Sequence, residues 1–248
     1  MRALPRILAA CVACATATDI VLITETLLLL SLDPRRGVLV MHRRGVGMQS
    51  LAAAALLADL IVLDRLRPAG RDDLVAESAM PAAHALLTEA LQRLGTRSLT
   101  PAQALLRIGQ GIRRLPQRVL DGLARRDLLH RIPNVRGLPA LGVRYPLRSV
   151  QARQDAEQVA RSAAGAPAAV RSLALLQLLD TAGLLTAFLD AGLHERAARA
   201  LLGIESADAQ DLGLLALARL RRALLDCRSA NPSADRFDRG LGLAPASP

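Results

Sequence analysis

The chain has no lysine and no tryptophan, and only one tyrosine and two phenylalanines in 248 residues. Without lysine it cannot build a P-loop, whose ammonium group must reach the nucleotide phosphates. Three cysteines (Cys11, Cys14 and Cys227) are too few for a disulfide framework. Cys11 and Cys14 have redox spacing, but no strand-then-helix context surrounds them, and the pair reads as coincidence in an apolar segment. H-E-x-x-H, G-x-S-x-G and any metal-spaced Cys/His set are missing, and His42, His84, His130 and His194 are scattered. These absences predict no catalytic site, no metal site, no cofactor and no enzymatic activity. Long hydrophobic runs are lacking too. Asp19 and Glu25 interrupt the best stretch before it reaches the roughly 18 apolar residues of a membrane-spanning helix.

Leucine and alanine dominate the 52% hydrophobic content. Strong helix formers with few β-branched or aromatic residues predict a mainly α fold. The expected architecture is a single domain over residues 19–228, with an apolar helical core, surrounding amphipathic helices and short β-hairpins. Residues 1–18 are an N-terminal extension of uncertain status. Arg2 and Arg6 ahead of Ile7–Ala15, with Ala13-x-Ala15, have signal-peptide features, and Leu8-Ala9-Ala10-Cys11 resembles a lipoprotein box. Only four apolar residues separate Arg6 from Cys11, too few for the hydrophobic region of an export signal, so a helical or frayed extension, such as a misplaced start would leave, is the preferred reading. Residues 229–248, rich in Ser, Pro, Asn, Gly and Ala, read as a disordered tail.

Periodicity places the elements between these ends. Asp19–Leu32 is a predicted helix closed by the turn Asp33-Pro-Arg-Arg-Gly37. Gln49–Ala58 is a predicted buried helix, followed by a hairpin from Ile61–Arg67 through Pro68-Ala-Gly70 to Leu74–Glu77. Ala82–Leu94 and Val150–Ala164 are amphipathic helices, and Thr100-Pro101 starts another. Pro167–Ala182 and Leu184–Leu189 are almost wholly apolar and are the predicted core. The last helix, Ala207–Asp226, is expected to present Arg219, Arg221 and Arg222 outward.

The charge is unevenly placed. Ten arginines and two acids fall between Arg107 and Arg148, a local +8 against +10 for the whole chain. Such a field attracts anions: phosphate, nucleic acid or an acidic membrane surface. Inside it, Leu115, Val119, Leu120, Leu123 and Ala124 recur at helical spacing, with Pro116 suited to the first turn. Ile132–Tyr145, broken by Gly and Pro, reads as a hairpin with Leu138 and Leu141 near its tip. Helix then hairpin occurs twice, which is also the outline of a winged helix. One reading is therefore a nucleic-acid-binding regulator whose helix 116–127 enters a groove, with hairpin 129–145 as wing. Against it, Gln117 is nearly alone as a base-reading side chain, and Tyr145 is the nearest aromatic. A cytosolic scaffold binding an acidic protein is a third reading.

The order of these segments resembles the Golgi phosphoprotein 3 family. The likeness rests on Arg113-Arg114 and Arg118, the helix Val119–Leu129, and the hairpin ending in Tyr145-Pro146-Leu147. It extends to Glu25–Gly37, Leu51–Ala76, Ala168–Leu189 and His194–Gly203, roughly residues 20 to 225. The resemblance implies a cytoplasmic, peripheral membrane protein that binds anionic lipid, with phosphatidylinositol 4-phosphate as the headgroup, and self-associates. In the family the headgroup pocket takes two arginines before this helix, plus a tryptophan and an arginine from an early loop. Arg113 occupies the first position; Pro116 or Gln117 falls on the second, leaving Arg114 and Arg118 as substitutes. The early loop corresponds to His42–Met48, which has no tryptophan and offers His42, Arg43 and Arg44. The family's hairpin inserts into membrane and mediates self-association. Here Leu138, Leu141 and Val143, flanked by Arg136 and Arg144 in hairpin 129–145, have the composition for both roles.

Overall fold

A computed structural model describes residues 22–40, 46–77, 82–133, 143–205 and 211–230. Among them are ten helices: α1 (Ile23–Ser31), α2 (Met48–Val62), α3 (Ala85–Leu94), α4 (Pro101–Gly111), α5 (Leu115–Arg125), α6 (Val150–Gly165), α7 (Val170–Ala182), α8 (Leu185–Phe188), α9 (Ala191–Glu205) and α10 (Leu212–Ala230). One antiparallel hairpin, β1 (Leu66–Ala69) with β2 (Asp73–Ala76), joins α2 to α3 in register Leu66↔Ala76. The expected mainly α single domain is the observed one. Residues 1–18 and all but the first two of 229–248 lie outside the described residues, and α10 continues to Ala230.

The core is built around α2, which packs against α1, α3, α4, α5, α7 and α10. Ala52, Ala53, Ala54 and Ala55 are all fully buried, and their small side chains let the surrounding helices approach closely. The apolar segment α7 lies against α2, so the predicted core at 167–189 is one wall of a centre that α2 occupies. α2 is longer than its periodicity suggests. Ile61 and Val62, expected in a strand, complete the helix, and the hairpin starts only at Leu66. Burial of Leu60 and Ile61 outweighs the strand preference of β-branched residues.

Local signals work well at α4. Thr100 Oγ1 accepts from the Gln103 N–H, and Gln103 Oε1 accepts from the Thr100 N–H, a reciprocal cap with Pro101 next to it. They are only partial at α1, where the N-cap residue is Leu22, which has no side-chain acceptor, and Glu25 reaches back to the Leu22 N–H at 3.4 Å. A distant side chain closes the rest of that end. Asp59 of α2 accepts from the Ile23 N–H at 2.7 Å, the Thr24 N–H at 3.1 Å and the Thr24 hydroxyl at 2.6 Å. Burial outweighs those bonds and pushes the Asp59 carboxyl up to about 6.

Arg219 corrects the expectation of an outward arginine on the last helix. It is 8% exposed and donates to the carbonyls of Ala69, Gly70 and Asp73. The guanidinium fork thus closes the β1–β2 turn onto α10. Arg222, by contrast, is exposed as expected.

Candidate anion-binding face

α5 carries the center of the arginine-rich stretch. Its buried positions, Leu115, Pro116, Val119, Leu120 and Leu123, form one stripe packed on α1 and α2. Ile112 and Leu115 are both fully buried, so the two residues between them, Arg113 and Arg114, are pushed outward. Arg114 has a left-handed backbone, φ 53° and ψ 40°. That conformation costs a non-glycine residue roughly 1 kcal/mol, and such strain concentrates at functional sites. Neither arginine makes an ion pair with a described residue.

A glutamine fastens this corner. Gln49, at the start of α2, donates from Nε2 to the carbonyls of Gly109 and Ile112, both at 2.8 Å. Its Oε1 accepts from the Leu115 N–H at 3.1 Å. One side chain therefore holds the end of α4, the start of α5 and the end of the early loop together. The loop residues His42, Arg43 and Arg44 lie outside the described residues, but the chain on their C-terminal side, Gly47–Gln49, is held beside Arg113–Arg114. The helix terminus itself gives an anion little. The Leu115 N–H is taken by Gln49 and Pro116 has none, so recognition here falls to the guanidinium groups.

Four other arginines of the stretch are committed to acids. Arg118 meets Glu89 of α3 at 2.7 Å, and this bond is the main reason the Glu89 carboxyl titrates below its usual value. Arg131 bonds Asp121 at 2.8 Å, Arg148 pairs with Asp127, and Arg126 reaches Glu25 at 2.7 Å. Glu25 was legible in the sequence only as an interruption of an apolar run; the structure places it 4% exposed, with Arg126 as its counter-ion. Arg118 and Arg125 flank a cleft of about 230 Å³ between α1, α3 and α5, which Thr24, Glu25, His84 and Asp121 also line. Burial lowers the His84 pKa, which favours the neutral ring in the cleft wall.

The root of the second hairpin is formed as predicted. Leu129 faces Leu147, and Ile132 and Arg144 exchange backbone hydrogen bonds at 2.9 and 3.1 Å. Arg136, Leu138 and Leu141 lie outside the described residues. Val143 is half-buried against the core, and Arg144 is half-buried without an ion pair to a described residue. Tyr145 is buried; its hydroxyl donates to Asp121 at 2.9 Å, and desolvation followed by that contact pushes its pKa up to about 12.

Among the described residues, no single helix is long and apolar enough to cross a membrane. No curated protein matches the chain. The model of the Golgi phosphoprotein 3 (GPP34) family matches residues 23–224, from the first residue of α1 into α10. That span takes in α5, its arginine corner, the β1–β2 hairpin and the bridged segments around Leu129 and Leu147, so the chain belongs to the Golgi phosphoprotein 3 family.

Proposed function

We propose that the protein is a peripheral membrane protein that binds anionic lipid through Arg113 and Arg114 and works by binding, not by catalysis. The observation that carries this reading is the clamped corner. Two exposed arginines without a described counter-ion are held between fully buried neighbours, and Gln49 fixes the start of α2, where the early loop ends, beside them. Guanidinium groups so placed can grip phosphate oxygens bidentately. Family membership supports the same function, and phosphatidylinositol 4-phosphate is the proposed headgroup. His42, Arg43 and Arg44 are proposed to complete the pocket from the loop. Arg118 is proposed to join only if it leaves Glu89. Hairpin 129–145 is the proposed site of shallow insertion and self-association, through Leu138, Leu141 and Val143 between Arg136 and Arg144, on the cytoplasmic face of a membrane.

The pairing of Arg118 with Glu89 works against the winged-helix alternative, because it occupies a cation that groove binding would use. The test is Arg113→Glu combined with Arg114→Glu. Binding to phosphatidylinositol 4-phosphate vesicles is expected to fall more than 100-fold, from four units of charge change at about 1 kcal/mol each. The helical circular-dichroism signal is expected to persist. Unchanged vesicle binding by a folded variant would refute the site.

A further inference from the structure

The turn that follows α1 carries a second pair of arginines, Arg35 and Arg36. Both are exposed, and neither makes an ion pair with a described residue. The turn is rigid. Asp33 Oδ1 accepts from the N–H groups of Arg35 and Arg36 at 2.8 and 2.9 Å. The Asp33 carbonyl accepts from the Gly37 N–H at 2.8 Å, and the Asp33 N–H donates to Val38 at 2.8 Å.

This turn is seated on the root of the 129–147 hairpin. The Gly37 carbonyl accepts from the Tyr145 N–H at 2.6 Å. Gly37 has φ +67°, and a Cβ added there would stand 2.4 Å from the Pro146 nitrogen. Glycine is thus needed for both the conformation and the approach. Tyr145 in turn bonds Asp121 of α5. Turn, hairpin root and α5 therefore form one connected body.

We propose that Arg35 and Arg36 are a second contact for an anionic bilayer, displayed rigidly beside the hairpin. The inference rests on the lipid reading above and extends it to a part of the surface which that reading does not use. Geometry favours a bilayer over a small ligand. The hairpin leaves the C-terminal end of α5 while Arg113 and Arg114 stand at its N-terminal end, a separation of about 16 Å at 1.5 Å per residue. A small anion presents its charge at one point, whereas a bilayer presents charge across a span of this length. Two separated contacts also raise avidity without requiring either to be strong. A five-residue turn is poorly shaped to enter a nucleic-acid groove, which takes a helix or a two-stranded ribbon.

The experiment measures partition of the full chain onto phosphatidylcholine vesicles with and without phosphatidylserine. The variants are Arg35→Gln with Arg36→Gln, Arg35→Lys with Arg36→Lys, and Arg196→Gln with Arg199→Gln on α9. The α9 pair is exposed and removes the same charge elsewhere. Far-UV circular dichroism and the thermal midpoint are expected to match wild type throughout. Partition onto phosphatidylserine vesicles is expected to fall roughly 30-fold for the Arg35/Arg36 glutamine pair. It is expected to stay within about threefold for the lysine pair and the α9 pair, since charge is kept in the first and removed from a different element in the second. Equal losses for the two glutamine pairs would overturn the inference, leaving only a net-charge effect and leaving the Arg113 site intact. Loss with the lysine pair would also overturn it, since charge would not be what binds. Wild type that fails to bind any anionic vesicle would overturn the lipid reading itself.

Discussion

Asp59 shows how one residue can serve the fold at a cost to stability. Its carboxylate caps α1 from a position 35 and 36 residues away, yet burial raises its pKa from 3.8 to about 6. A raised carboxyl pKa means that the folded state binds a proton that the unfolded state has released. The residue's contribution to stability is therefore greatest below pH 4 and declines as pH rises through about 6. At about 1.4 kcal/mol per pH unit, the decline is about 3 kcal/mol. Asp59→Asn removes the titration and also a cap acceptor. Urea denaturation at pH 4 and pH 7 should show the stability of Asp59→Asn relative to wild type improving by up to about 3 kcal/mol on going to pH 7. A difference independent of pH would contradict this account. Burial and bonding at Asp59 were invisible in the sequence, where it is one polar residue in an alanine-rich run; so was Arg219, whose carbonyl partners lie about 150 residues away.

At the scale of elements, the Asp33–Gly37 turn and the 129–147 hairpin stabilise each other through a close contact at Gly37. Two glycines separate the terms involved. Gly70 also has positive φ, +50°, but nothing lies within 4 Å of where its Cβ would be. Gly70→Ala is expected to cost about 1 kcal/mol, the left-handed penalty alone. Gly37→Ala adds a collision with Pro146 and is expected to cost at least about 2 kcal/mol, as contacts of this kind do when a packed site must yield. Equal costs in urea titrations would mean that the turn is not held against the hairpin. Most elements were legible because their apolar spacing is regular: Leu115, Val119, Leu120 and Leu123 define α5 with no outside help. The boundary after α2 was not legible. Ile61 and Val62 favour strand locally, and only their surroundings in the core make them helical.

For the whole molecule, net charge alone suggested an anionic partner, but the structure divides the arginines. Arg118, Arg126, Arg131 and Arg148 are engaged with acids, while Arg113 and Arg114 make no ion pair with a described residue. The sequence could identify the arginine stretch and, through the order of its segments, the family. It could not separate committed from available cations, because Glu25 and Glu89 come from α1 and α3, and only the fold brings Asp121 of α5 and Asp127 just after it to Arg131 and Arg148. Nor could it single out Gln49, whose role depends on α4 and α5 meeting at the start of α2. Binding by the available cations alone predicts a headgroup-dependent component that persists when salt is raised, on top of a screened, unspecific one.

Co-sedimentation with vesicles tests this most directly: the full chain, with and without phosphatidylinositol 4-phosphate, at low and raised salt, with duplex DNA as competitor. The account predicts preference for phosphoinositide vesicles that survives raised salt and is not displaced by DNA. Tight binding to DNA with no binding to any vesicle would contradict it.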